Sequence, residues 1–218
     1  MTEITLNRDD ILVGAPDQGT TGAIFSAPLG TKLPGMPSEE LDPAFVGSGY
    51  VDEEGVTITP EKSEEGIKDW NLDEVRKMLT EFKNSVAWAH LSTSKESLTN
   101  YFGEGNVTVT AATDTHGNII KATLNAKEHP RKAWVWRMKD GEHRVLIVAP
   151  EAQIGEVGEL GLKKSSPMTW PVTLTTFPDA EGNHLYFYFD DGQVLVAKDT
   201  STTTDPAGAT PTGEEAAA

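Results

Sequence analysis

Runs in which apolar and polar residues alternate recur along this chain. They fall at residues 56–59 (VTIT), 107–110 (VTVT), 134–138 (WVWRM) and 185–189 (LYFYF), and a period of two puts successive side chains on opposite faces of an extended strand. Turn formers stand between them, His116-Gly117-Asn118, Asp140-Gly141 and Glu181-Gly182-Asn183, where hairpins need residues that reverse the chain tightly. Strands joined by successive hairpins make an antiparallel, mainly β body. With 218 residues, 37% of them hydrophobic, the chain has enough apolar side chains to fill a core.

One helix is expected. Thr93-Ser94-Lys95-Glu96 has capping-box spacing, Leu98, Tyr101 and Phe102 form an apolar stripe, and Gly103 can close the end, so the helix spans residues 94–102. Residues 72–88 satisfy two patterns. Leu72, Val75, Leu79, Phe82 and Val86 recur at helical spacing, yet Met78, Thr80, Phe82, Val86 and Trp88 share one strand parity, with Lys77, Glu81, Lys83 and Ser85 facing away. Pattern alone leaves helix and strand both open.

Residues 14–49 are punctuated by Gly19, Gly22, Pro28, Gly30, Pro34, Gly35, Pro37 and Pro43, which interrupts any long element. They read as an N-terminal arm, residues 1–43, with one short strand over 22–26 anchored by Ile24 and Phe25, which are candidate contacts for a neighbouring subunit. The segment 199–218 has no aromatic or branched aliphatic residue and is expected to be a disordered acidic tail. Between them a body spans residues 44–198.

The formal net charge is −16, and it is uneven: residues 51–75 hold nine acidic and two basic side chains, while residues 76–198 hold 14 of each. An acidic excess repels polyanions at range instead of gripping them, so assembly or electrostatic exclusion is expected before catalysis. Asp52, Glu53, Glu54, Glu61, Glu64 and Glu65 lie in a stretch, residues 52–71, that reads as an acidic loop. Within it Trp70 has only Ile67 and Leu72 as large apolar neighbours in sequence, which suits Trp70 and Ile67 either as anchors for a neighbouring subunit or as residues packed on the chain's own domain.

Reactive constellations are missing. Cysteine is absent, which removes disulfides, thiolate nucleophiles and Cys-ligated metals. The five histidines, His90, His116, His129, His143 and His184, show no metal-binding spacing. No P-loop follows Gly14-Ala15-Pro16-Asp17-Gln18-Gly19, and Gly47-Ser48-Gly49 has the wrong spacing for a nucleophile elbow. Neighbouring carboxylates such as Asp190 and Asp191 point to opposite faces of a strand. No enzyme activity, metal or cofactor is expected, and the absence of a signal peptide or a long apolar run points to a soluble chain. Trp134 and Trp136 share one strand face, which fits a core or a subunit contact. Exposed tryptophans would instead suit a monomeric carbohydrate-binding or adhesion module.

Several motifs agree in order and spacing: GAIFSAPLGT at 22–31, LDPAFVGSGYVDEEGVTIT at 41–59, IKDW at 67–70, EVR at 74–76, PVTLT at 171–175 and PD at 178–179. Through them the chain resembles the major tail, or tail tube, proteins of long non-contractile-tailed phages, those of actinobacteria in particular. The resemblance implies a tail-tube β-sandwich with one flanking short helix, and it implies that residues 72–91 are largely strand. It also implies hexameric rings stacked into a hollow tube that phage DNA crosses without specific binding, with Asp52, Glu53, Glu54, Glu61, Glu64 and Glu65 as candidates either to face the lumen or to coat the outside. The implied partners are further copies of the chain and the tape measure, tail terminator and distal tail proteins, with no membrane. The implied place is the virion tail, after synthesis in the host cytoplasm.

Overall fold

The computed structural model describes residues 11–16 and 23–194. Among them are ten strands and one helix in the order β1 (Ile24–Pro28), β2 (Val46–Gly47), β3 (Val51–Lys68), β4 (Glu74–His90), α1 (Lys95–Phe102), β5 (Val107–Thr110), β6 (Ile119–Ala122), β7 (Lys132–Asp140), β8 (His143–Val157), β9 (Trp170–Thr176) and β10 (Tyr186–Asp190). All four alternating runs seen in the sequence are strands, in β3, β5, β7 and β10. The expected tail over 199–218 lies outside the described residues.

One antiparallel sheet runs β2-β1-β7-β8-β9-β4-β3, and β5 and β6 pair separately. β8 is long enough to serve two strands on one side, β10 along Arg144–Val148 and β9 along Ala152–Val157, with β7 on its other side. Asp140-Gly141 therefore closes a true hairpin, β7 to β8. Glu181-Gly182-Asn183 does not, contrary to the reading of successive hairpins. The turn forms, with Gly182 at φ 84° and the Asp179 carboxylate accepting from the backbone N–H groups of Glu181 and Asn183, but β9 and β10 lie end to end along β8.

β7 and β8 are buried on both faces, which alternation alone does not reveal. Trp134, Trp136, Ile147 and Ala149 point into a core closed by Val86 and Trp88 of β4, Val172 and Leu174 of β9, and Leu98 and Tyr101 of α1. Ala133, Val135, Leu146 and Val148 point the other way, against Leu33, Leu41 and Phe45. The Gly- and Pro-rich stretch is thus built into the body from residue 24 onward and is no free arm there. β1 pairs with β7 over five residues, and Ile24 is fully buried in the chain's own core. That burial removes Ile24 as a contact for a neighbouring subunit, while Phe25 is half-buried against the second core.

The helix forms where expected, with its cap one residue later than the capping-box reading placed it. Ser94 is the N-cap and accepts from the Ser97 N–H, while Gly103 at φ 95° donates its N–H to Thr99 at the other end. Ser97 and Asn100 then donate side-chain hydrogen bonds to the Ser48 carbonyl and hydroxyl, which ties α1 to the strand entering β3. Ser94→Ala is expected to cost about 1 kcal/mol, measured as a lower urea midpoint with an unchanged slope.

For residues 72–88 strand prevails over helix. β4 gains backbone partners on both sides, β3 along its length and β9 along Ser85–His90. Asn84, Val86, Trp88 and His90 are buried on its inner face. Pairing on two sides and an apolar inner face outweigh local helix preference, which is worth only tenths of a kcal/mol per residue.

Candidate functional site

β3 and β4 run past the rest of the sheet. β9 pairs with β4 only from Ser85 onward, so residues 61–83 form a hairpin that projects on its own, by about 25 Å at ~3.3 Å per residue. The segment read as an acidic loop, 52–71, is therefore mostly strand. On the side facing β4 its backbone groups are paired, from Val56 opposite Trp88 to Lys68 opposite Glu74.

The hairpin end is rigidly made. The Asp69 carboxylate accepts from the N–H groups of Asn71 and Asp73 at 2.8 and 3.0 Å, the Asp69 N–H donates to the Asp73 carbonyl, and the Leu72 N–H donates to the Asp69 carbonyl. Leu72 sits at φ 69°, the sole non-glycine residue at positive φ among the described residues. A left-handed leucine costs about 1–2 kcal/mol, and such strain clusters at functional positions. The turn holds Trp70 outward with 99% of its surface exposed and Leu72 with 76% exposed. Leu72→Gly is expected to raise the stability of the isolated subunit by about 1 kcal/mol, read as a higher urea midpoint.

Cross-strand register sorts the flanks. β3 alternates without insertions here, so Glu61, Glu65 and Ile67 share one face, opposite Lys83, Met78 and Arg76. Glu64 lies on the other face, opposite Leu79, where Lys62 also stands over the Phe82 ring at 6.0 Å. Asp52, Glu53 and Glu54 sit far away in the register shift between Val51 and Val56 at the hairpin's base. The six acidic candidates thus form no single wall, and β4 supplies Arg76, Lys77 and Lys83 against them. The acidity of 51–75 is that of half a hairpin whose cationic half begins at residue 76.

Apolar side chains on this projection, Ile67, Val75, Met78, Leu79 and Phe82, are all at least one-third exposed. The other four tryptophans are inside. Trp88 meets Trp134 and Trp136 edge-on at 5.4 and 6.1 Å, and Trp170 packs on Tyr101 at 5.4 Å. Those four indoles are therefore closed to sugars. No three His, Asp or Glu side chains converge among the described residues, and no helix there is long and apolar enough to cross a membrane.

A β scaffold that buries four of its five tryptophans and carries the fifth on a stiff projecting hairpin has the form of a structural subunit that meets partners along edges and projections. The model of the phage tail tube protein family matches residues 4–199, and the chain belongs to that family. It is a structural component of the virion tail. No curated protein matches the sequence. Among solved structures the chain is similar to the cap that terminates the tube of the anti-feeding prophage, seen by electron cryo-microscopy. The identity is 12%, the match covers 84% of this chain and 98% of that one, and the TM-score is 0.37.

Proposed function

We propose that the chain polymerises as stacked, hexameric rings into the tube of a long non-contractile phage tail, a conduit through which the genome leaves without binding specifically. The observation that carries this reading is the β3–β4 hairpin, whose end presents Trp70 fully to solvent on a turn held by two backbone hydrogen bonds and two more to the Asp69 carboxylate. An isolated subunit gains nothing from such a projection, whereas a neighbouring subunit can bury it. Ordering costs are small because the turn is already made.

Charge suits the conduit. With a net −16 per chain, subunits repel DNA phosphates, and at a Debye length of about 10 Å only acid near the lumen acts. The carboxylates at the hairpin base, Asp52, Glu53 and Glu54, are the strongest candidates for that wall, since they lie together, whereas Glu61 faces Lys83 and Glu64 and Glu65 stand on opposite faces of β3. Tape measure, terminator and distal tail proteins would cap and fill such a tube, built from chains made in the host cytoplasm. Negative-stain microscopy of concentrated protein tests the reading: rings or tubes are expected, and a persistently monomeric protein at all concentrations and salts would overturn it.

A further inference from the structure

We infer that Trp70 of one copy docks into a pocket at the far end of the sheet in a second copy, between α1, residues 124–129 and the end of β8. β7 begins at Lys132, opposite Ala152, so β8 has no β7 partner from Gln153 onward. Residues 124–129 pass there instead, with Gln153 donating to the His129 carbonyl, and they leave a cavity of about 410 Å³. Its apolar lining comes from Tyr101, Phe102, Leu124, Ile154 and Val157, of which Leu124 and Val157 are 70% and 38% exposed. Sites that take drug-sized ligands measure about 300–1,000 Å³ and are lined mainly by apolar and aromatic side chains, so an indole fits this one. Tyr101 and Phe102 meet edge-on at 4.9 Å and offer rings for it to pack against.

The subunit's own Trp70 is out of range. Val157 stands opposite Val172, and Val172 opposite Trp88, so the pocket lies level with Trp88. From Trp88 to the turn at Glu74, β4 runs about 45 Å at ~3.3 Å per residue. Charge pairs the two surfaces across copies. Residues 64–74 around the turn hold five acidic side chains and one basic, whereas the loops beside the pocket, 123–131 and 158–169, hold four basic and two acidic, a local positive excess in a chain of net −16. The second loop starts at the pocket wall, where the Tyr101 hydroxyl donates to the Gly158 carbonyl. Lys127, Lys163 and Lys164 form no ion pair with a described residue, which leaves them open to Asp69, Asp73 and Glu74 of the incoming turn. Asp52, Glu53 and Glu54 share this end of the sheet but stand on β3, beyond β9 and β4. Three strand spacings, about 14 Å, exceed the screening length of about 10 Å. Pro16 and Ala23 lie beside Met138 and Arg137, and Val194 follows Asp190 opposite Arg144, so the described chain stops near the start of β8, far from Val157. Because the turn of one copy meets the opposite end of the next, the contact is head-to-tail and propagates along the strand direction. The inference rests on self-assembly of the chain.

Leu124, exposed on the pocket rim, gives the test. Leu124→Asp is expected to lower the yield of pelletable polymer about ten-fold or more while its melting temperature stays unchanged, compared with the unmodified chain by sedimentation and negative-stain microscopy. Normal tubes from Leu124→Asp would overturn the inference and leave the tail-tube reading intact, and a lowered melting temperature would overturn it by showing that the chain's own residues fill the pocket. Failure of the unmodified chain to assemble would count against the tail-tube reading itself. The cysteine-free sequence allows a direct check: Asn71→Cys with Leu124→Cys, oxidised after assembly, should give a ladder of disulfide-linked multimers. A monomer band alone from assembled tubes would overturn the inference.

Discussion

Acidification from pH 7 to pH 4 is expected to remove about 3 kcal/mol of stability through one side chain, His90. The imidazole is fully buried, and burial lowers its pKa from 6.5 to about 4. Trp88 donates its indole N–H to His90 Nε2 at 3.0 Å, which is possible only while that nitrogen keeps its lone pair. The ring must then carry its proton on Nδ1, which has no hydrogen-bond partner in its surroundings. The folded state therefore binds fewer protons than the unfolded state between pH 6.5 and 4, so stability is full above the unfolded pKa and falls as pH drops towards the folded one. The comparison is wild type against His90→Gln, whose side-chain oxygen can still accept from Trp88 but does not titrate. The difference between their urea-unfolding free energies is expected to shift by about 3 kcal/mol across this window, with other titrating groups cancelling. Parallel pH profiles for the two proteins would show that His90 is not the group responsible.

His90 and its surroundings also show what could be read from the residues and what could not. Its parity with Asn84, Val86 and Trp88 is visible in the sequence, yet the same stretch also has helical spacing, and only pairing with both β3 and β9 decides between them. Pairing of that kind joins residues far apart in the chain, which local patterns cannot register. The helix was legible because its determinants are local: Ser94 and Gly103 act within one turn of the residues they cap. The misread segment, 52–71, failed for the complementary reason. Clustered Glu, Gly and Lys resemble a solvated loop, and the strand they form is held by a partner strand 6 to 32 residues further along the chain that carries Arg76, Lys77 and Lys83. Ile24 misled because a short apolar motif in a Gly- and Pro-rich stretch looks like a detachable anchor, whereas β7 needs a neighbour on that side and takes β1. The exposure of Trp70 was legible because little in its sequence neighbourhood could bury it, and it is 99% exposed.

Trp70→Ala is expected to raise the critical concentration for tube formation about 30-fold or more, the factor that corresponds to a hot-spot loss of ~2 kcal/mol per contact. The reasoning turns on a contrast between two states of one side chain. In the subunit Trp70 touches almost nothing, being 99% exposed, so its removal should leave the urea midpoint and melting temperature unchanged. In the polymer an indole that becomes buried removes about 150–250 Å² from water, and the turn that carries it loses little entropy because Asp69 already holds Asn71 and Asp73 in place. Ile67→Ala, at a half-exposed position opposite Arg76, should have a smaller effect in the same direction. Glu61→Ala, facing Lys83 at the protein surface, should change assembly little, since exposed ion pairs contribute 0–1 kcal/mol or so, about the scale of experimental error. Sedimentation of each variant over a concentration series measures all three. An unchanged critical concentration for a folded Trp70→Ala subunit would mean that the hairpin end stays in solvent in the tube, and the contacts that build the wall would then have to lie on the sheet edges alone.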